Sequence, residues 1–120
     1  MTGYEIAKRC VDLLGYHDAI GDSDLEATAR KSSIEYINQT LLDICTISGK
    51  EYQPIESLDG NISDLSVFET SALVYGVCMW IAFGVGDGEK QTMFSHLYNA
   101  KRTALSHTDR IRDITPNPEG

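Results

Sequence analysis

Close cysteine pairs are missing from this chain. Its three cysteines, Cys10, Cys45 and Cys78, are odd in number and far apart. A zinc centre needs ligand pairs such as C-x-x-C, and a disulfide framework needs an even set. Each cysteine falls in a segment that reads as helix, which suits small buried hydrophobes in a reducing compartment. An excess of positive charge is also missing: ten basic residues meet eighteen acidic ones, a net charge of −8. Residues 1–69 hold thirteen acids against five bases, whereas residues 70–120 hold five of each. The surplus acid belongs to the first half, and it opposes general binding to a phosphate backbone.

Marks of catalysis are few. His17, His96 and His107 have no metal-site spacing, and no local motif nominates a nucleophile among the Ser, His and Asp residues. Gly84-Val85-Gly86-Asp87-Gly88 is glycine-rich. It lacks the Gly-Lys-Ser/Thr ending of a P-loop and the βαβ setting of a dinucleotide site, so it reads as a tight turn between helices. No enzyme activity, cofactor or metal is expected. Neither is secretion, because M-T-G-Y-E-I-A-K-R-C lacks the basic-then-apolar order of a signal peptide.

What the chain does have is helical periodicity over 120 residues, a length that suits one domain. A first helix is predicted over about Tyr4 to Leu14, with Thr2 and Glu5 at capping-box spacing, an apolar set of Ile6, Cys10, Leu13 and Leu14, and Gly15 as the stop. A second begins near Ser23 or Asp24, with Ser23 and Glu26 as its cap signature. It carries Leu25, Ala29, Ile34, Ile37, Leu41, Ile44 and Cys45 at helical intervals and stops near Gly49. A third starts at the Ser66/Glu69 box and runs to about Phe83, burying Leu73, Val77, Trp80, Ile81 and Phe83. A fourth follows an Asp87 cap and presents Met93, Phe94, Leu97, Tyr98 and Leu105 as its apolar set.

Residues 70–86 carry no charge, so a membrane span has to be weighed. The stretch falls short of the roughly twenty residues a span needs, contains Gly76 and Gly84, and lacks flanking basic clusters. A central core helix is expected instead, with close approach of a neighbouring backbone at Gly76.

Between helices two and three, Pro54 and the Asp59-Gly60-Asn61 turn signal predict an extended loop over residues 50–65, with or without a short hairpin. Loops of that length in compact domains are functional or mobile. The chain divides into a helical domain, 1–107, and an extended C-terminal tail, 108–120, closing on T-P-N-P-E-G. The seven-residue spacing of Leu97, Ala104 and Ile111 allows the fourth helix to reach about Asp113. The fold class is therefore all-α: a four-helix antiparallel domain with a central buried helix, a long loop and a tail.

The residues A-L-V-Y-G-V-C-M-W-I-A at 72–82 and G-D-G-E-K-Q-T-M-F-S-H-L-Y-N-A-K-R at 86–102 form an ordered pattern with I-N-Q-T-L-L-D-I at 37–44 and Y-Q-P-I-E-S-L-D-G-N-I at 52–62. This pattern resembles the head–tail adaptor proteins of long-tailed bacteriophages and prophages, also called connector or head-completion proteins. The resemblance implies a structural subunit that assembles into a ring of about twelve copies. Such a ring docks on a portal protein, seats the tail or a stopper protein, and lies at the head–tail interface of the virion after assembly in the host cytoplasm. DNA would be only non-specific content of its channel, which the surplus acid would line, and no membrane is involved.

Under that resemblance the candidate contacts are Tyr52, Ile55 and Leu58 in the loop, and Arg110, Ile111, Arg112 and Ile114 near the C-terminus. For the loop residues, packing onto their own domain is the alternative; for the tail residues, a solvated tail. A different reading of the whole chain is a small phage-derived helical DNA-binding or regulatory module. It uses Lys90, Gln91, Thr92, Ser95, His96, Asn99, Lys101 and Arg102 on the polar side of the fourth helix.

Overall fold

A computed structural model describes residues 1–16, 22–62 and 64–114, with side chains at 1–16, 33–62 and 64–106. Four helices follow in order: α1 (Gly3–Leu14), α2 (Asp22–Ser48), α3 (Val67–Gly84) and α4 (Gly88–Ile114). No named strand occurs among the described residues, only one isolated antiparallel bridge between Thr2 and Asn61. The fold is the expected all-α, four-helix domain.

The helix ends follow from local chemistry. Thr2 and Glu5 form a complete capping box on α1, and Ser66 and Glu69 form another on α3. Asp87 caps α4 by accepting the Lys90 amide N–H on Oδ1 at 3.2 Å. At the close of α3 the Asp87 N–H reaches the Ala82 carbonyl at 2.9 Å and the Gly86 N–H that of Phe83 at 3.1 Å, with Gly86 left-handed at φ 78°. That six-to-one and five-to-two pairing satisfies the last carbonyls of α3 while the next residue starts α4. The α2 start differs slightly from expectation. The helix begins at Asp22, so Ser23 lies inside it rather than before it.

Helix α3 packs against all three other helices, most extensively against α4. Ala72, Leu73, Val77, Cys78 and Ala82 on α3 are buried with Ile6, Cys10 and Leu14 of α1, Ile37, Leu41 and Ile44 of α2, and Phe94 and Tyr98 of α4. By length and composition α3 is also the one helix among the described residues that could cross a membrane, and half of it is buried by its neighbours. The three cysteines are free and buried.

Three expectations about the core are corrected. Phe83 is exposed and Trp80 only half-buried. Trp80 stacks on Tyr36 of α2 at 6.1 Å between ring centroids, and Phe83 meets Trp80 edge-on at 6.0 Å, so both lie at the rim of the core. Leu13 is exposed because Cys10 and Leu14 already fill the inward side of α1. Met93 and Leu97 are also exposed, since α4 turns Phe94, Tyr98 and Leu105 inward instead. Helix α4 continues through Ile114, as the seven-residue spacing allowed, and residues 115–120 lie outside the described residues.

Candidate functional site

The long loop is tied down along most of its course. The Ile55 amide donates to Asn38 Oδ1 at 2.9 Å, and Asn38 Nδ2 donates back to the Ile55 carbonyl at 2.9 Å. A single side chain of α2 thus pairs both backbone groups of one loop residue. Beyond Ile55 the loop meets the start of α1. The Gly3 N–H donates to the Gly60 carbonyl at 3.1 Å and the Tyr4 N–H to the Leu58 carbonyl at 2.9 Å. The first amides of a helix have no partner inside it. Here the loop supplies two of them, and the Thr2 hydroxyl accepts the third, from Glu5, at 3.2 Å. Gly3 permits the contact, because a Cβ there would stand 2.6 Å from Ile55 Cδ1.

This docking decides where the loop candidates sit. Ile55 is buried, and Tyr52 and Leu58 are half-buried against the core. What the loop leaves in solvent is acid: Glu51, Glu56, Asp59 and Asp64 are all exposed, with Glu5 of α1 nearby in the fold. The candidates Arg110, Ile111, Arg112 and Ile114 lie on the last turns of α4, and their side chains lie outside the described residues.

The start of α3 is held by a compact polar cluster. Lys50 Nζ donates to Glu69 Oε1 at 2.6 Å and also to the Asp64 carbonyl. The Ser66 amide donates to the same Glu69 oxygen at 2.8 Å, and Ser66 Oγ accepts the Glu69 N–H at 3.1 Å. Burial raises the Glu69 carboxyl, but the bonds from Lys50, Ser66 and Ser48 outweigh it and bring its pKa to about 2. Asp64 takes a left-handed φ of 62°, a conformation aspartate tolerates better than most residues. On this fixed turn Val67 and Phe68 are 82% and 70% exposed, the most exposed large apolar side chains described. Beside them a groove of about 680 Å³ runs between α1 and α3, lined by Leu13, Leu65, Val67, Val74 and Tyr75 among others.

Sequence reasoning missed this pair. Val67 and Phe68 fall between the two members of the Ser66/Glu69 box, in the first turn. Apolar residues in a first turn, ahead of the main periodic set at Leu73 and Val77, were the available signal.

On α4 the described basic side chains, Lys90, Lys101 and Arg102, each meet a group of their own chain. Arg102 grips Asp43 of α2 through Nε at 2.7 Å and Nη2 at 3.0 Å, and Tyr98 Oη donates to the same carboxylate at 2.5 Å. Hydrogen bonding from Arg102, with burial opposing it and Tyr98 assisting, holds Asp43 below the usual carboxylate range. Burial first, and then the Asp43 contact, pushes the Tyr98 phenol up. Lys101 lies 6.0 Å from the Tyr75 ring centroid. Lys90 sits 4.8 Å above the Tyr16 ring and donates to the Leu14 carbonyl, sealing the end of α1. The Tyr16 phenol donates to Asp87 at 2.9 Å, and burial followed by that bond pushes its pKa up to about 12.

Among the described residues no three His, Cys, Asp or Glu side chains gather as a metal-ligand set. His96 is exposed, His17 lies outside the described residues, and so does the side chain of His107. The arrangement offers contact chemistry: an acidic docked loop, an apolar pair on a capped helix and an adjoining groove. No family model, no curated protein and no solved structure matches the chain.

Proposed function

We propose that this protein is a structural head–tail adaptor subunit. Copies assemble as a ring, dock on a portal protein and seat a tail-completion or stopper protein. The observation that carries the reading is where the adaptor-like residues fall. Tyr75, Gly76, Phe94 and Tyr98 build the α3–α4 contact and Asp87 caps α4, while Asn99 and apolar side chains outside that scaffold stay in solvent. A scaffold of that kind supports the reading as a rigid frame on which contact surfaces are carried.

The portal-facing surface in this proposal is Val67 and Phe68 with the adjoining groove. Exposed apolar side chains on a rigid, capped turn bind with little ordering cost. Ile55, buried under the loop, contributes through loop shape. The exposed acids Glu51, Glu56, Asp59 and Asp64 border the DNA channel, where like charge keeps the duplex from adhering.

The DNA-binding alternative is disfavoured by the described α4 bases. Lys90 and Arg102 are engaged within the chain, and Lys101 lies over Tyr75. A reader of DNA keeps such groups available to phosphates and bases.

The test is to mix the purified protein with the portal protein encoded beside it and examine the product by sedimentation and negative-stain microscopy. Rings seated on portals are expected. Portals left bare, together with salt-sensitive binding to duplex DNA, would overturn the proposal in favour of the alternative.

A further inference from the structure

Cys10 and Cys78 lie 68 positions apart and meet in the core, one on α1 and the other on α3. Both are free and completely buried. Cys10 Sγ donates to the Val74 carbonyl of α3 at 3.4 Å, and Cys78 Sγ lies 3.9 Å from the Cys10 carbonyl oxygen of α1. Each thiol thus rests on the backbone of the opposite helix, and the two also hydrogen-bond to each other. Cys45 stands apart on α2, where Glu69 and Lys50 are the charged groups that act on it.

We propose that Cys10 and Cys78 form a redox-controlled lock, a disulfide between α1 and α3 that a low-molecular-weight disulfide of the glutathione class closes and free thiol reopens. Two thiols held side by side by the fold meet at a higher effective concentration than any dissolved thiol can offer, so the internal bond is favoured over a mixed one. The bond ties together the helices that wall the groove lined by Leu13 and Val74. It also constrains the unfolded chain across a long loop, which stabilises the fold.

The chemistry is an exchange in two steps. One cysteine gives its proton to solvent and attacks a sulfur of the small disulfide, whose S–S bond breaks and releases one half as thiolate. The second cysteine, also deprotonated, attacks the protein sulfur of that mixed disulfide, forms the Cys10–Cys78 bond and expels the other half. The oxidant takes up the electron pair, and the two protons end on the two released thiols. Hydrogen bonding with Cys78 and then burial push the Cys10 thiol up, so the pair is inert while α1 is seated. Exchange therefore passes through local opening of α1, the shortest of the four helices.

The test incubates the full-length protein with oxidised glutathione, in buffer and in urea well below the unfolding midpoint. Thiols are then titrated in denaturant, and non-reduced peptides are mapped by mass spectrometry. Expected are a linked Cys10–Cys78 peptide pair, one remaining thiol in place of three, faster closure in the dilute urea, and a urea midpoint that rises and returns with dithiothreitol. Cys45→Ser should leave the linked pair unchanged, and Cys78→Ala should abolish it. Three thiols remaining under both conditions, a bond that includes Cys45, or glutathione adducts without an internal bond would each overturn the lock. Portal attachment plays no part in these readouts, so their failure leaves the adaptor reading as it stands.

Discussion

The ring of Tyr98 on α4 occupies the space that Gly76 on α3 leaves open. A Cβ at position 76 would stand 2.8 Å from Tyr98 Cε1 and 2.5 Å from Thr40 Cγ2. Three helices meet at that point, and the glycine sets their separation. Tyr98 then extends to Asp43, where Arg102 completes a bidentate pair, so the same contact fixes the pitch of α4 on α2.

Gly76→Ala should therefore destabilise the protein. Helix propensity alone favours alanine by about 1 kcal/mol, but overpacking at this site costs about 1–3 kcal/mol. Gly84→Ala serves as the control, because a Cβ there meets chiefly the Tyr36 hydroxyl, at 2.7 Å, the far end of a movable side chain. Urea denaturation should show a lower midpoint for Gly76→Ala and little change for Gly84→Ala.

Acid should weaken the fold through Glu69. Its pKa falls from 4.5 when unfolded to about 2 when folded. A depressed carboxylate contributes stability above the unfolded value and loses it as pH falls through the folded one. The window is thus from 4.5 down to about 2, worth about 2 kcal/mol once screening through the partly exposed Lys50 is allowed for. Thermal melts across that window should fall steadily for the native protein, and with a shallower slope for Glu69→Gln.

Alkali acts through Tyr16 with the opposite sign. Its phenol is raised from 10.0 to about 12, so its stabilisation is whole below 10 and is lost as pH climbs through about 12. Tyr16→Phe should remove part of the alkaline destabilisation, measured as Tm against pH, and lower stability at neutral pH by about 1 kcal/mol through the lost bond to Asp87.

Val67→Asp and Phe68→Asp should separate contact from folding. Both side chains are in solvent on the first turn of α3, where an added carboxylate suits the helix dipole. Stability should change by less than about 0.5 kcal/mol, while attachment to the portal is lost in sedimentation.

Much of the fold could be read from local signals. The boxes at Thr2/Glu5 and Ser66/Glu69 and the Asp87 cap each depend on residues within three positions of one another, and all three hold. Gly76 is a correction: close approach of a neighbouring backbone was expected there, and a tyrosine ring and a threonine methyl fill the space instead. The loop was harder, because its partners are distant in sequence. Nothing near Ile55 announces that Asn38 will bind it, or that Gly60 and Leu58 will serve the first amides of α1. Helix α4 was half legible: its apolar residues were identified, but two seven-residue lines overlap there, and only the packed structure tells the inward one from the outward one. Val67 and Phe68 escaped for a similar reason, lying between capping residues that drew attention to the cap.

The central claim is that copies of this chain form a ring seated on a portal. Native mass spectrometry of the protein mixed with its neighbouring portal protein tests it most directly. A single complex is predicted, in which the portal oligomer carries a fixed, full complement of this chain, about one copy per symmetry-related site. Free portal beside monomeric 13.3 kDa chain at every mixing ratio would contradict it.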